Sequence, residues 1–407
     1  MYGFFNQAIR RNVAGRLPRL IWLVWLAIFL DTLLYTGVLP LLDEIGQTEN
    51  LSDGLLGLIL AAYSFSGVFA CLPFGLASDR WKPGPILIGS VIGISTGGLL
   101  VAAFPSPVGI AMGRMVQGLA SSALWTAGMA VVSQQAGPER RGQAVARIFS
   151  AASAGELVGP VLSGFLFERV GISPFFWLAA VIGAGVTVGL APRQGHSSDS
   201  TQVGERDDRR KANGWVPLIA SGALSLLLVS VFASMLLFTP LMLARRLDFS
   251  PVEIGLAFVG WNGVMLLSQM VVGRWADRAG WRRPLLVGLV GVVGGLVGLA
   301  GVEAVGLTLG MLVLVSLGTG FASTVVTSHF SGAWEARRPA GTGLGTAFGV
   351  SNTIWSFGFL IGNAAGGGLL TIFEMEAILL GMAVLLIPFL VGVFSFILRR
   401  EIVKVAA

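Results

Sequence analysis

Gly273-Arg274-Trp275-Ala276-Asp277-Arg278-Ala279-Gly280-Trp281-Arg282-Arg283 closes a long apolar run in the second half of the chain, and Gly75-Leu76-Ala77-Ser78-Asp79-Arg80 closes a similar run in the first half. Glycine, aspartate and arginine recur at one spacing. Pro40 and Pro240, each read as ending the first apolar run of its half, repeat at nearly the same offset. So do Arg140-Arg141 and Arg337-Arg338, each pair placed after the fourth run. A repeat of this length points to one helical unit duplicated within the chain.

The composition says what solvent that unit meets. Hydrophobic residues make up 54% of the 407 and charged residues only 12%, with a mean hydropathy of +0.80. A soluble domain carries about 25% charge. Apolar stretches long enough to cross roughly 30 Å of hydrocarbon recur at 20–41, 54–75, 84–104, 107–133, 143–167 and 173–191, then at 216–241, 252–273, 283–302, 305–329, 341–371 and 377–398. The run at 341–371 exceeds one span's need, so part of it is expected to bend or to extend outside the core. The expected division is an N-terminal bundle at 1–191, a polar cytoplasmic linker at 192–214, and a C-terminal bundle at 215–407. Arg10, Arg11, Arg16 and Arg19 precede the first run, which lacks a small-residue cleavage site and reads as a retained helix.

Charge sets the expected orientation. With the N-terminus in the cytoplasm, nearly all of the 27 Lys and Arg residues fall on that side. Only Arg169, Arg245 and Arg246 fall on the other, and Arg114 lies within a span. The positive-inside rule then gives a multi-pass protein of the cytoplasmic (inner) membrane with both termini cytoplasmic. The basic residues sit in short runs between spans, not along one face, which argues against nucleic acid as a partner. Cys71, the single cysteine, lies in an apolar run and reads as a small core side chain. His196 and His329 are isolated. No metal set, phosphate loop or nucleophile–base pair appears, so neither a cofactor nor an enzyme is expected.

The two repeated loops resemble the signature of the major facilitator superfamily, G-x-x-x-D-R-x-G-R-R. The second copy keeps Gly280 and Arg282 in register, with Arg283 one position beyond. In the first, Trp81-Lys82-Pro83-Gly84 stands where x-G-R-R is expected. Arg114-Met115-Val116-Gln117-Gly118 resembles the family's R-x-x-Q-G pattern. Gly155-Glu156-Leu157-Val158-Gly159-Pro160-Val161-Leu162-Ser163-Gly164 resembles the glycine-rich motif of its antiporters, with Ser163 in place of a glycine. The stretch from Phe29 through Asp31, Tyr35 and Gly37 to Pro40 looks like the first helix of the drug/proton antiporter branch. The resemblance implies an all-α membrane protein of twelve transmembrane helices in two pseudo-symmetric six-helix bundles, with the first, fourth, seventh and tenth lining a central cavity. Physical chemistry assigns the gating residues. Gly75 and Gly273 permit close helix packing. Asp79 can sit on the N-terminus of a helix from the other half, where the macrodipole favours an anion. Arg80, Asp277 and Arg278 complete the two loops, and Gly159 and Pro160 loosen the fifth helix.

Three ionisable residues fall in mid-span: Asp31, Glu156 and Arg114. Charge is costly in hydrocarbon, so such residues usually face a cavity and serve transport. Asp31 and Arg114 are expected to face each other across water. Asp31 and Glu156 are the proton-coupling candidates, with Arg114 tuning release. Arg114, Gly118, Ser121 and Trp125 share a stripe, with Gln117 beside it, and Asp31 shares one with Tyr35. The second half offers Asn262 and Gln269 on the eighth span, Ser316, Gly320, Ser323 and Thr327 on the tenth, and Asn352, Trp355, Ser356, Phe359 and Asn363 on the eleventh. Of these, Tyr35, Gln117, Ser121, Trp125, Asn262, Gln269, Ser323, Asn352 and Trp355 are the substrate-cavity candidates. The function expected is proton-coupled export of small amphipathic or cationic compounds, drug-type efflux by alternating access, from a monomer in the lipid bilayer. The alternatives are a metabolite or lipid uniporter or symporter, and a non-transporting membrane sensor.

Overall fold

The computed structural model describes residues 20–136, 141–190, 215–335 and 343–406. The polar linker at 192–214, with His196, and the arginines at 140, 337 and 338 lie outside the described residues. Among the described residues there are 12 helices long and apolar enough to cross a membrane, and no strand. They are α1 (Leu20–Thr48), α2 (Asp53–Arg80), α3 (Pro83–Ala103), α4 (Pro107–Ala136), α5 (Arg141–Val170) and α6 (Ser173–Leu190) in the first half. The second half holds α7 (Val216–Leu247), α8 (Pro251–Ala279), α9 (Arg282–Gly301), α10 (Val305–Glu335), α11 (Leu344–Leu370) and α12 (Met375–Ala406).

The duplication read from the loops is visible in the packing. α3 packs on α4 and α6, and α9 packs on α10 and α12 in the corresponding places. Between the halves α2 lies along α11, and α5 lies along α8, which is the same pairing with the halves exchanged. Lipid tails are as apolar as leucine, so these contacts depend on close van der Waals fit, not on water expulsion. Glycine supplies the fit. A Cβ on Gly57 would stand 2.5 Å from the Asn363 carbonyl, and one on Gly75 would stand 2.7 Å from the Gly345 carbonyl. The α2–α11 seam is therefore tight near both of its ends. On the opposite surface large apolar side chains such as Phe69, Val181 and Val384 stand exposed for the bilayer.

One expectation about local structure needs correction. Neither Pro40 nor Pro240 ends its span. Pro40 opens a 3-10 turn at Leu39–Leu41, and the chain continues as a helix over Leu42–Thr48. An early position in a helical turn needs no N–H, so proline is tolerated there. Pro240 sits inside α7, which runs on to Leu247. The run at 341–371 is longer than the hydrocarbon core needs and extends outside it, as expected. Helix α11 is one uninterrupted helix of 27 residues, about 40 Å at 1.5 Å per residue, a full bilayer with its interfaces.

The departure of the first loop from its copy also has a physical reason. Helix α8 ends at Gly280 with φ +78 and ψ 160, a conformation that L side chains avoid. Helix α2 ends at Trp81 with φ −104 and ψ 162, and Pro83 opens α3. That turn stays extended, so no glycine is needed.

Candidate functional site

Asp31 lies on α1, 1% exposed, beside α2 and α4. Ser121 Oγ donates to its Oδ2 at 2.6 Å, and Trp125 Nε1 donates to the same oxygen at 2.9 Å. The Tyr63 hydroxyl stands 3.2 Å from both carboxyl oxygens and 2.6 Å from Ser121 Oγ. All of these donors are neutral. Ser121 and Trp125 are one helical turn apart on α4, which is why they converge on a single oxygen.

Arg114, on α4 and 0% exposed, makes no ion pair among the described residues. Its Nη1 donates to the Tyr35 carbonyl at 3.1 Å. Its guanidinium carbon stands 4.5 Å from the centre of the Tyr35 ring and 5.2 Å from that of Tyr63. Nε and Nη2 have no hydrogen-bond partner among the described residues. The expected facing pair of Asp31 and Arg114 is therefore indirect: Tyr63 touches both, hydrogen-bonding the carboxyl and stacking on the guanidinium.

Glu156, on α5, is half-buried, and no hydrogen bond or ion pair holds its carboxylate among the described residues. Its main-chain carbonyl accepts from Asn262 Nδ2 of α8 at 3.1 Å, a bond between the halves. One residue earlier, Gly155 lets α5 press on α1. A Cβ there would stand 2.7 Å from the Phe29 carbonyl. Gly159 does the same against the Leu33 carbonyl at 2.6 Å, and Pro160 lies inside α5 with its own carbonyl against Gly255 of α8.

The other cavity candidates are divided. Tyr35 reaches the second half through Phe359, ring centres 5.8 Å apart, and Phe359 stacks on Trp355 at 6.1 Å. Gln117 is 1% exposed and turns toward α3, with its Cγ against Gly97 and both amide atoms unpartnered. Gln269 and Ser323 are half-buried, and Ser323 bonds the Gly320 carbonyl of its own helix. Asn352 Nδ2 is buried without a partner among the described residues. Ser316 donates to the Trp261 carbonyl at 2.6 Å and so joins α10 to α8. Ser356 faces Cys71 across the seam, with their oxygen and sulfur 3.6 Å apart.

The gating candidates are unequal. Asp79 accepts from the Gly345 and Thr346 amides of α11 at 2.8 and 2.9 Å and from Thr346 Oγ1 at 2.6 Å. It thus caps a helix of the opposite half, at the end where donors are unsatisfied and the dipole is positive. Arg80 and Arg278 are exposed. A side chain added at Gly273 would meet nothing within 4 Å. The side chain of Asp277 lies outside the described residues.

The Major Facilitator Superfamily model matches residues 24–345. The chain belongs to this superfamily. As a member it is a transporter and a multi-pass membrane protein with twelve spans. An uncharacterized MFS-type transporter of Schizosaccharomyces pombe is 25% identical over 86% of this chain and 89% of its own length. A multidrug resistance protein B homolog of Mycobacterium tuberculosis is 25% identical over 53% of this chain and 51% of its own length. The crystal structure of the human organic anion transporter MFSD10 superposes with a TM-score of 0.70 at 16% identity, covering 93% of this chain and 99% of that one. That likeness establishes the shared fold.

Tyr63 was not among the candidates read from the sequence. It is one of only 3 tyrosines and sits in mid-span, which was the available signal. Asp43 and Asp53 were not among those candidates either, and Arg245 counted only as a basic residue on the outer side.

Proposed function

We propose that this transporter is a proton-coupled exporter of small amphipathic or cationic compounds, working by alternating access in the cytoplasmic membrane with both termini inside. The observation that carries this reading is the Asp31 carboxyl, buried in the first half and held by Ser121, Trp125 and Tyr63. No ion pair has to break for it to gain or lose a proton. A proton taken up from the outside and released inward does the work of moving substrate out. The orientation follows from the basic loops. The drug-type substrate class takes support from the multidrug homolog named above. Transport in vesicles with an imposed pH gradient tests the proposal. Asp31→Asn is expected to abolish proton-driven export while the protein stays in the membrane, and unchanged coupling would refute the assignment.

A second reading has one observation in its favour. The buried Arg114 presents Nε and Nη2 without partners, as a guanidinium reading an anionic group on a metabolite or lipid would, and the structurally similar MFSD10 is an organic anion transporter. Uptake of matched cationic and anionic compounds in the same vesicles separates the two readings by charge preference and direction.

A further inference from the structure

Every ion pair that joins the two halves among the described residues is made by one side chain, Arg245, near the C-terminal end of α7. Its Nε donates to Asp43 Oδ1 at 2.6 Å, and Asp43 lies in the last helical segment of α1. Its Nη1 and Nη2 donate to the two oxygens of Asp53 at 2.9 and 2.7 Å, and Asp53 opens α2. This is a fork-on-carboxylate contact with a second carboxylate on the remaining nitrogen, the strongest geometry available to an arginine. Arg246 next to it pairs with Glu376 of α12, inside its own half. Asp248, in the left-handed region at φ 52, stops α7 just beyond both. The aim of Arg245 is therefore set by its helix end.

Asp53 and Asp79 stand at opposite ends of the same helix, 28 residues long, about 39 Å apart at 1.5 Å per residue. Each is held by the other half, Asp53 by Arg245 and Asp79 by the N-terminus of α11. A helix clamped at both ends cannot rock. Rocking one half against the other has to free one acid while the other stays bound.

We propose that Arg245, with Asp43 and Asp53, is a second latch that works in alternation with Asp79 and must release before its end of the transporter opens. It goes beyond the proton-coupling proposal and does not depend on it, since it requires only that the halves rock. The latch is reachable from solvent. A recess of about 420 Å³ lined by Asp53, Arg245, Thr371, Phe373 and Glu376 opens over it, and the Arg245 side chain is 41% exposed. Added salt must therefore weaken it.

The test is a distance across this end of the molecule in lipid nanodiscs, with neither substrate nor pH gradient. Spin labels go on Glu49→Cys and Ile372→Cys, exposed positions on opposite halves, in a Cys71→Ser background. Arg245→Gln is expected to raise the ratio of long to short distances about tenfold, equivalent to about 1.4 kcal/mol. Asp43→Asn with Asp53→Asn should do the same, and the triple variant no more, because all three residues form one unit. Raising the salt should lengthen the distance in the parent and not in Arg245→Gln. If Arg245→Gln does not fold, the salt series on the parent and the double asparagine variant carry the test. A parent indifferent to salt, or folded variants with the parent's distances, overturns the proposal. Loss of proton coupling in Asp31→Asn would leave this result untouched, so the two proposals fail separately.

Discussion

A guanidinium buried without a carboxylate partner is an expensive object in an apolar interior. Arg114 is made tolerable by the Tyr35 carbonyl and by two tyrosine faces that take its charge by cation–π attraction. The same Tyr63 serves Asp31, so acid and base share a neighbour without neutralising each other in an ion pair. Carboxylates are strengthened by donors aimed at one oxygen, and Ser121 supplies the shortest bond to Asp31 at 2.6 Å. Ser121→Ala should lower proton-driven transport about tenfold, the effect of one hydrogen bond to a charged group, with the amount of folded protein unchanged in the membrane. Initial rates under a fixed pH gradient read this directly. The buried charges were legible in the sequence because a charge stands out in an apolar run. Their partner Tyr63 was not, because an uncharged ring on a neighbouring helix leaves no mark in a hydropathy pattern. Arg245 escaped for a related reason. Its acids lie far off in the chain, and an arginine at a span end usually means only an interface.

At the scale of the helix, two motif glycines that look equivalent in sequence do different work. A Cβ on Gly75 would press on the Gly345 carbonyl at 2.7 Å and on the Gly349 Cα at 3.2 Å, while one on Gly273 meets nothing. Gly75→Ala should therefore cost about 1–3 kcal/mol through overpacking of the α2–α11 seam and lower the thermal midpoint in detergent. Gly273→Ala should stay within about 0.5 kcal/mol of the parent, helped by the better helix propensity of alanine. Equal effects at the two positions would contradict the packing account. The helix count, the order and most span limits were readable from apolar run length alone. The ends were harder. Pro40 and Pro240 read as stops because each stands at the close of the first apolar run of its half. Pro40 instead falls where a turn needs no N–H, and α7 runs on through Pro240, which a membrane helix can tolerate when its surroundings satisfy the freed groups.

For the whole molecule, duplication turns one packing rule into two seams, α2 with α11 and α5 with α8. The repeat was legible from two loops because glycine, aspartate and arginine kept their spacing. The Asp79 contact was legible as well, since an acid at a span end is favoured on the N-terminus of a neighbouring helix. The less complete loop holds Asp79 on the N-terminus of α11, because the contact needs one acid and a helix end rather than the whole signature. The loops, the seams and the buried Asp31 all bear on one claim: movement of the halves is tied to a proton on that carboxyl. The most direct test is proton release from purified protein as a panel of amphipathic cations binds, recorded at several pH values. The account predicts release in the parent and none in Asp31→Asn that still binds the compound. Equal release from both proteins would contradict it.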